Sequence, residues 1–105
     1  NQVFERDETI AFLENIRSSK VFVLAAGVCE NFGITCINQN EVALKKTSIK
    51  NAMVKILLVD SSKFRVVKNA YFADLSDFDI IITDKGITEE WIEIINSHKI
   101  QLHIV

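Results

Sequence analysis

The chain has 105 residues, 49% of them hydrophobic and 25% charged, with a formal net charge of −2. That balance excludes disorder and suits one domain. Acidic and basic residues alternate without a basic stripe, which argues against a surface that grips DNA by itself.

The charged opening Asn1–Glu8 lacks an apolar signal core, and no apolar run reaches the roughly 20 residues of a membrane span. A cytoplasmic protein with no membrane partner is the expectation. Asp7 caps a predicted helix from about Glu8 to Arg17, with Ile10, Leu13 and Ile16 at helical spacing toward a core. Val21–Ala26 is a continuous apolar run and predicts a strand covered on both faces. From Gly27 to Asn40 the density of Gly and Asn predicts a loop. The two cysteines, Cys29 and Cys36, have neither zinc-site spacing nor a disulfide framework around them and are expected as free thiols.

Asn40 starts a second predicted helix to about Met53, with Val42, Ile49 and Met53 on one face. Ile56–Val59 is a second buried strand. Arg65–Phe72 reads as an exposed or irregular strand, and Asp79–Thr83 as a third buried one. Thr88 caps a helix whose first turn carries Glu89 and Glu90, where the helix dipole favours acids. Trp91, Ile94 and Ile95 form its apolar face, and Ile100–Val105 supplies a last strand. Trp91 and Phe78 are expected in the core, His98 and His103 at surface or edge positions. Strands alternating with helices predict one α/β domain over residues 1–105, with a mainly parallel sheet flanked by helices.

Ligands of such sheets sit beyond the carboxyl ends of the strands. Three segments leave those ends: Gly27–Asn38, Asp60–Phe64 and Asp84–Gly86. In the second, Lys63 suits a phosphate, Ser61 and Ser62 add donors, and Asp60 can accept from a hydroxyl or orient Lys63. A solvated turn with an Asp–Lys pair explains the same residues, and composition alone favours it. In the first segment, Gly27 and Gly33 permit close backbone approach to a ligand, or simply a connection that needs glycine. Asp84 lies at a ligand mouth or makes a turn with Gly86. Neither a dinucleotide loop nor a P-loop is present, and no cofactor, metal site or catalytic group is signalled.

Taken together, four segments resemble the C-terminal domain of the DeoR family of sugar-metabolism repressors. Leu57–Phe64 resembles the family's strand followed by D-[SH]-S-K-[FI]. Leu75–Gly86 is similar to its L-S-D-[IV]-D-x-[VIL]-I-T-D run. Gly27–Thr35 resembles its G-[IV]-S-x-x-x-G-[IL]-T loop, and Lys50–Met53 its K-[RQ]-x-M helix. The resemblance implies a sugar-phosphate isomerase-like fold, as in ribose-5-phosphate isomerase and glucosamine-6-phosphate deaminase. It implies a phosphorylated sugar effector, a homo-oligomer, and DNA contacts made only by a separate N-terminal winged helix-turn-helix. That module and the family's early D-x-G-[ST]-T loop have no counterpart here, so a domain lacking its N-terminal part is expected. The effector contacts implied are Gly27, Val28, Cys29, Gly33, Lys50, Asp60, Ser62, Lys63 and Asp84.

The alternative is a phosphosugar isomerase-like enzyme. The related isomerases carry acids at positions corresponding to Ala26 and Ile49, and neither residue can move a proton. A receiver-like signalling module needs an acidic pair after an early strand, which Leu24-Ala25-Ala26 does not offer. A non-catalytic sensor is therefore the expectation.

Overall fold

A computed structural model describes residues 7–16 and 19–105. Arg17, where the first helix was expected to end, and the opening segment before Asp7 lie outside the described residues. The elements run α1 (Asp7–Glu14), β1 (Lys20–Leu24), β2 (Gly27–Cys29), β3 (Gly33–Cys36), α2 (Val42–Asn51), β4 (Val54–Leu58), β5 (Ala70–Ala73), β6 (Ile80–Thr83), α3 (Glu89–Ser97) and β7 (Gln101–Ile104). Four strands form a parallel sheet in the order β1-β4-β6-β7, and β2, β3 and β5 form a separate antiparallel sheet.

The parallel sheet and its flanking helices match the expected α/β architecture. The second sheet is a correction. Gly27–Cys36 is a β-hairpin rather than a loop, paired Gly27↔Thr35 and Cys29↔Gly33. Its strands of 3 and 4 residues are too short for alternation to register against the surrounding Gly and Asn. Val28 and Ile34 are nonetheless fully buried. Only the end of the Arg65–Phe72 stretch is a strand, as part of β5, whose Ala70, Phe72 and Ala73 are buried while Tyr71 is exposed.

Strands β4 and β6 supply the centre, with Ile56, Leu57, Ile81 and Ile82 all fully buried. On one face Val23, Leu57 and Ile81 join α2, α3 and the second sheet in the larger core. On the other face Ile56, Ile80, Ile82 and Val105 pack under Phe12, Leu13 and Ile16. Phe12 stacks on His103 with ring centroids 4.3 Å apart. Ile10, expected inward, is 44% exposed, because the apolar stripe of α1 turns on Leu13 and the buried Thr9 instead.

β1 corrects the expectation of a strand covered on both faces. It is the edge of the sheet, and Phe22 and Leu24 are 43% and 58% exposed. They share the face of Ile56 and Leu58 by register, but no described residue buries them. Val21 and Val23, pointing the other way, pack on the larger core.

Helix α2 is entered through a 3₁₀ turn, Gln39–Glu41, capped by the Asn38 side chain. Val42 and Ile49 are buried as expected. Met53 is not, at 73% exposed, because the helix ends at Asn51 and Met53 leaves its register. Its N–H goes to the Ser19 hydroxyl, 3.2 Å away. Helix α3 is capped by Thr88, whose hydroxyl accepts from Trp91 N, and it buries Trp91 and Ile95. Phe78 is also core, and Ile94 is half-buried.

Candidate functional site

The loops at the carboxyl ends of β4 and β6 are tied together by carboxylates. After β4 the Asp60 side chain caps a 3₁₀ turn, Ser61–Lys63, accepting from Ser62 N at 3.1 Å and from the Ser62 hydroxyl. Asp84, one residue after β6, reaches across. Its two oxygens accept from Ser61 N at 2.9 Å and from Gly86 N at 2.8 Å. Burial works against a charged Asp84, but hydrogen bonds from the Ser61 hydroxyl and from the N–H groups of Ser61 and Gly86 outweigh it. They hold the carboxyl below its usual range. Gly86 is packed so closely that a Cβ there would lie 2.4 Å from the Ser61 hydroxyl oxygen.

Lys63 closes that turn and faces a cleft of about 320 Å³ between the ends of β1 and β4. Lys45 faces the same cleft from the first half of α2, with Glu41 one turn earlier. The Lys45 ammonium donates to the Leu24 carbonyl at 3.1 Å, stands 3.9 Å from the Glu41 carboxylate, and lies over the Phe72 ring. Leu24, Ala25, Ala26, Cys36 and Ile37 complete the wall. Two ammonium groups facing one carboxylate across a partly apolar cleft can bind an anionic group and accept from a neighbouring hydroxyl.

The other expected residues divide by position. The close approach that the hairpin glycines permit is used by the protein's own chain. A Cβ on Gly27 would lie 2.2 Å from the Val66 carbonyl oxygen. Gly33, at φ +79°, would place one 2.6 Å from the Tyr71 ring. The Val28 side chain is fully buried, and its carbonyl accepts from Arg65 N at 2.8 Å. Cys29 lines a different cavity of about 210 Å³ with Arg65 and Trp91. Both cysteines are free. Asp60, Ser62, Lys63 and Asp84 are thus brought together. Lys50 is not among them: it lines a cavity that shares no residue with the Lys63 cleft.

Lys45 and Glu41 are not among the residues that the sequence pointed to. One signal was available. A helix that returns beside a parallel strand runs against it, so its first turns lie at the strand's carboxyl end and its last turns at the amino end. Here Lys45 reaches Leu24 at the end of β1, while Met53, just beyond α2, bonds Ser19 before β1 begins. His98, expected at a surface or edge position, is exposed and stands 3.5 Å from Glu30 on the hairpin.

Residues 1–85 match the family profile described as the DeoR C terminal sensor domain. The deoxyribose operon repressor of Escherichia coli strain K12 is 32% identical over 97% of this chain and 40% of its own length. The HTH-type transcriptional regulator IolR of Bacillus subtilis is 28% identical over 90% of this chain and 38% of its own. The lactose phosphotransferase system repressor of Lactococcus lactis is 36% identical over 77% of this chain and 31% of its own. The chain therefore spans less than half the length of these relatives.

Proposed function

The chain belongs to the DeoR C terminal sensor domain family, and from that premise we propose that it senses a phosphorylated sugar or related metabolite in the cleft at the carboxyl ends of β1 and β4. The observation that carries this reading is the convergence of Lys45 and Lys63 on one cavity beside the Asp60–Ser62 turn. Lys63 takes the phosphoryl oxygens, with Lys45 as second cation. Glu41 accepts from a sugar hydroxyl. Asp60, Ser62 and Asp84 position Lys63 through the loops they hold. Regulation of sugar metabolism suits relatives named for the deoxyribose operon and for the lactose phosphotransferase system. In a longer repressor the ligand favours one conformational or assembly state of a homo-oligomer, and a separate N-terminal module contacts DNA. Among the described residues no helix is long and apolar enough to cross a membrane, and we place the protein in the cytoplasm.

We read the domain as a sensor rather than an enzyme. Ala26 lines the cleft where an isomerase-like centre carries an acid, and alanine holds no exchangeable proton for the sugar carbons. Calorimetric titration with ribose 5-phosphate and glucosamine 6-phosphate, each with product analysis, tests both halves. Saturable binding that Lys63→Ala weakens, without turnover, is expected. Turnover that disappears on replacing Asp60 or Lys63 overturns the sensor reading.

A further inference from the structure

A second cavity, of about 310 Å³, lies toward the amino end of the sheet and is lined by Lys46, Lys50, Lys55, Tyr71 and Asp77 among others. We propose that it is a separate anion site for a small organic molecule carrying two phosphoryl groups. Lys46 and Lys50 are one turn apart on α2, and Lys55 is the second residue of β4. Like charges at i, i+4 on a helix repel, and Lys55 adds a third cation to the same concavity. None of the three ammonium groups has a carboxylate within 4.0 Å among the described residues.

The carboxylates nearby are engaged elsewhere. Asp77 accepts from Asp74 N at 2.8 Å, and Asp74 from the Tyr71 hydroxyl at 2.9 Å. Asp79 accepts from the backbone N–H of Lys55 at 2.9 Å. These bonds cap a 3₁₀ turn and join β4 to the turn before β6. Asp77 keeps its charge at the cavity wall, so the cavity sets three ammonium groups against one carboxylate and is cationic on balance. Lys46 sits 5.7 Å from the centre of the Tyr71 ring, so an aromatic wall adjoins the cations. Two phosphoryl groups match three ammonium groups better than one does. The volume suits a ligand of that size.

The proposal is independent of the Lys63 cleft, and the test keeps the two apart. Pyrophosphate is titrated into isotope-labelled protein while backbone amide resonances are followed. Saturable shifts at Lys46, Lys50, Lys55 and Tyr71 are expected, with Lys63 unmoved. Lys50→Glu should weaken pyrophosphate at least about tenfold, and Lys46→Glu, exposed on the same helix, should do the same. Lys63→Ala should leave it unchanged. Shifts confined to the Lys45–Lys63 cleft, shifts that never saturate, or parent-like affinity in both charge-reversal variants overturn the proposal. So does a short DNA duplex that moves the same amides at lower concentration than pyrophosphate, because the surface would then serve nucleic acid.

Discussion

The two ends of the parallel sheet each present lysines to a cleft, but they hold those lysines in different ways. At the amino end Lys46, Lys50 and Lys55 ride on α2 and β4, so regular backbone sets their positions. At the carboxyl end Lys63 rides on a short 3₁₀ turn that exists because Asp60 caps it and Asp84 anchors Ser61 from the neighbouring loop. A cation carried by a loop can be re-aimed by small loop movements, whereas a cation on a helix moves with the helix. The difference favours the carboxyl end as the part that responds to a ligand, and it makes acids there as important as the cations they position.

The hairpin glycines give the largest expected contrast. Gly27→Ala drives a Cβ into the Val66 carbonyl beside the Lys63 cleft and should cost about 3 kcal/mol. Gly33→Ala meets both the Tyr71 ring and, at 2.7 Å, the Ala73 carbonyl oxygen, and adds the strain of a left-handed backbone to that clash, so it should cost more, about 4–5 kcal/mol. Chemical denaturation of both variants measures the difference. Equal losses would mean that the hairpin responds as one rigid unit, with no distinction between its ends.

Binding gives the next contrast. If the proposed phosphorylated sugar binds there, Lys63→Ala should lose a charge-assisted hydrogen bond of about 1.5–3 kcal/mol, lowering its affinity roughly ten- to a hundredfold. Its melting temperature should barely change, since Lys63 is not core. Lys50→Ala should leave that affinity intact, because Lys50 lines the other cavity. Calorimetry on both proteins decides it, and a matching loss in Lys50→Ala would merge the two sites into one.

Asp84 tests the loop clamp through pH. Its folded-state pKa is lowered, so its contribution to stability is present above the ordinary carboxylate range and is lost as pH falls through the folded value. Asp84→Asn should therefore be less stable than the parent protein at neutral pH, and the gap should close in acid. Melting curves across that range measure it, and a constant gap would show that shape rather than charge holds the loops.

The smallest effect belongs to Tyr71. Its hydrogen bond to Asp74, slight desolvation and the charges of Asp74 and Asp77 raise its pKa above the ordinary 10.0. The stabilisation from that pair is present at neutral pH and disappears as pH rises through the folded value. Ultraviolet titration should show the phenol ionising late, and Asp74→Asn should return it toward its ordinary value.

Much of the Lys63 region was legible in the sequence. Asp60, Ser62, Lys63 and Asp84 follow two apolar runs directly, and a strand's end is visible where such a run meets polar residues. Lys50 lines the other cavity, and a residue's place along a helix says which end of the sheet it serves only once the helix direction is known. Lys45 was overlooked for the same reason. The hairpin was hidden because Gly27 and Gly33 look alike whether they admit a ligand or the protein's own backbone.

From the sequence alone came the α/β class, the central strands Ile56–Val59 and Asp79–Thr83, the Thr88 cap and the family resemblance. Each of these rests on neighbours in the chain: an apolar run, a capping hydroxyl, a motif. Tertiary structure alone decided that β1 is an edge, that Asp84 binds Ser61 across 23 positions of sequence, and that the lysines of α2 divide between two cavities. Those outcomes depend on which strand pairs with which and on the direction in which a helix returns. Such long-range choices are set by the burial of the whole core, and no local pattern encodes them.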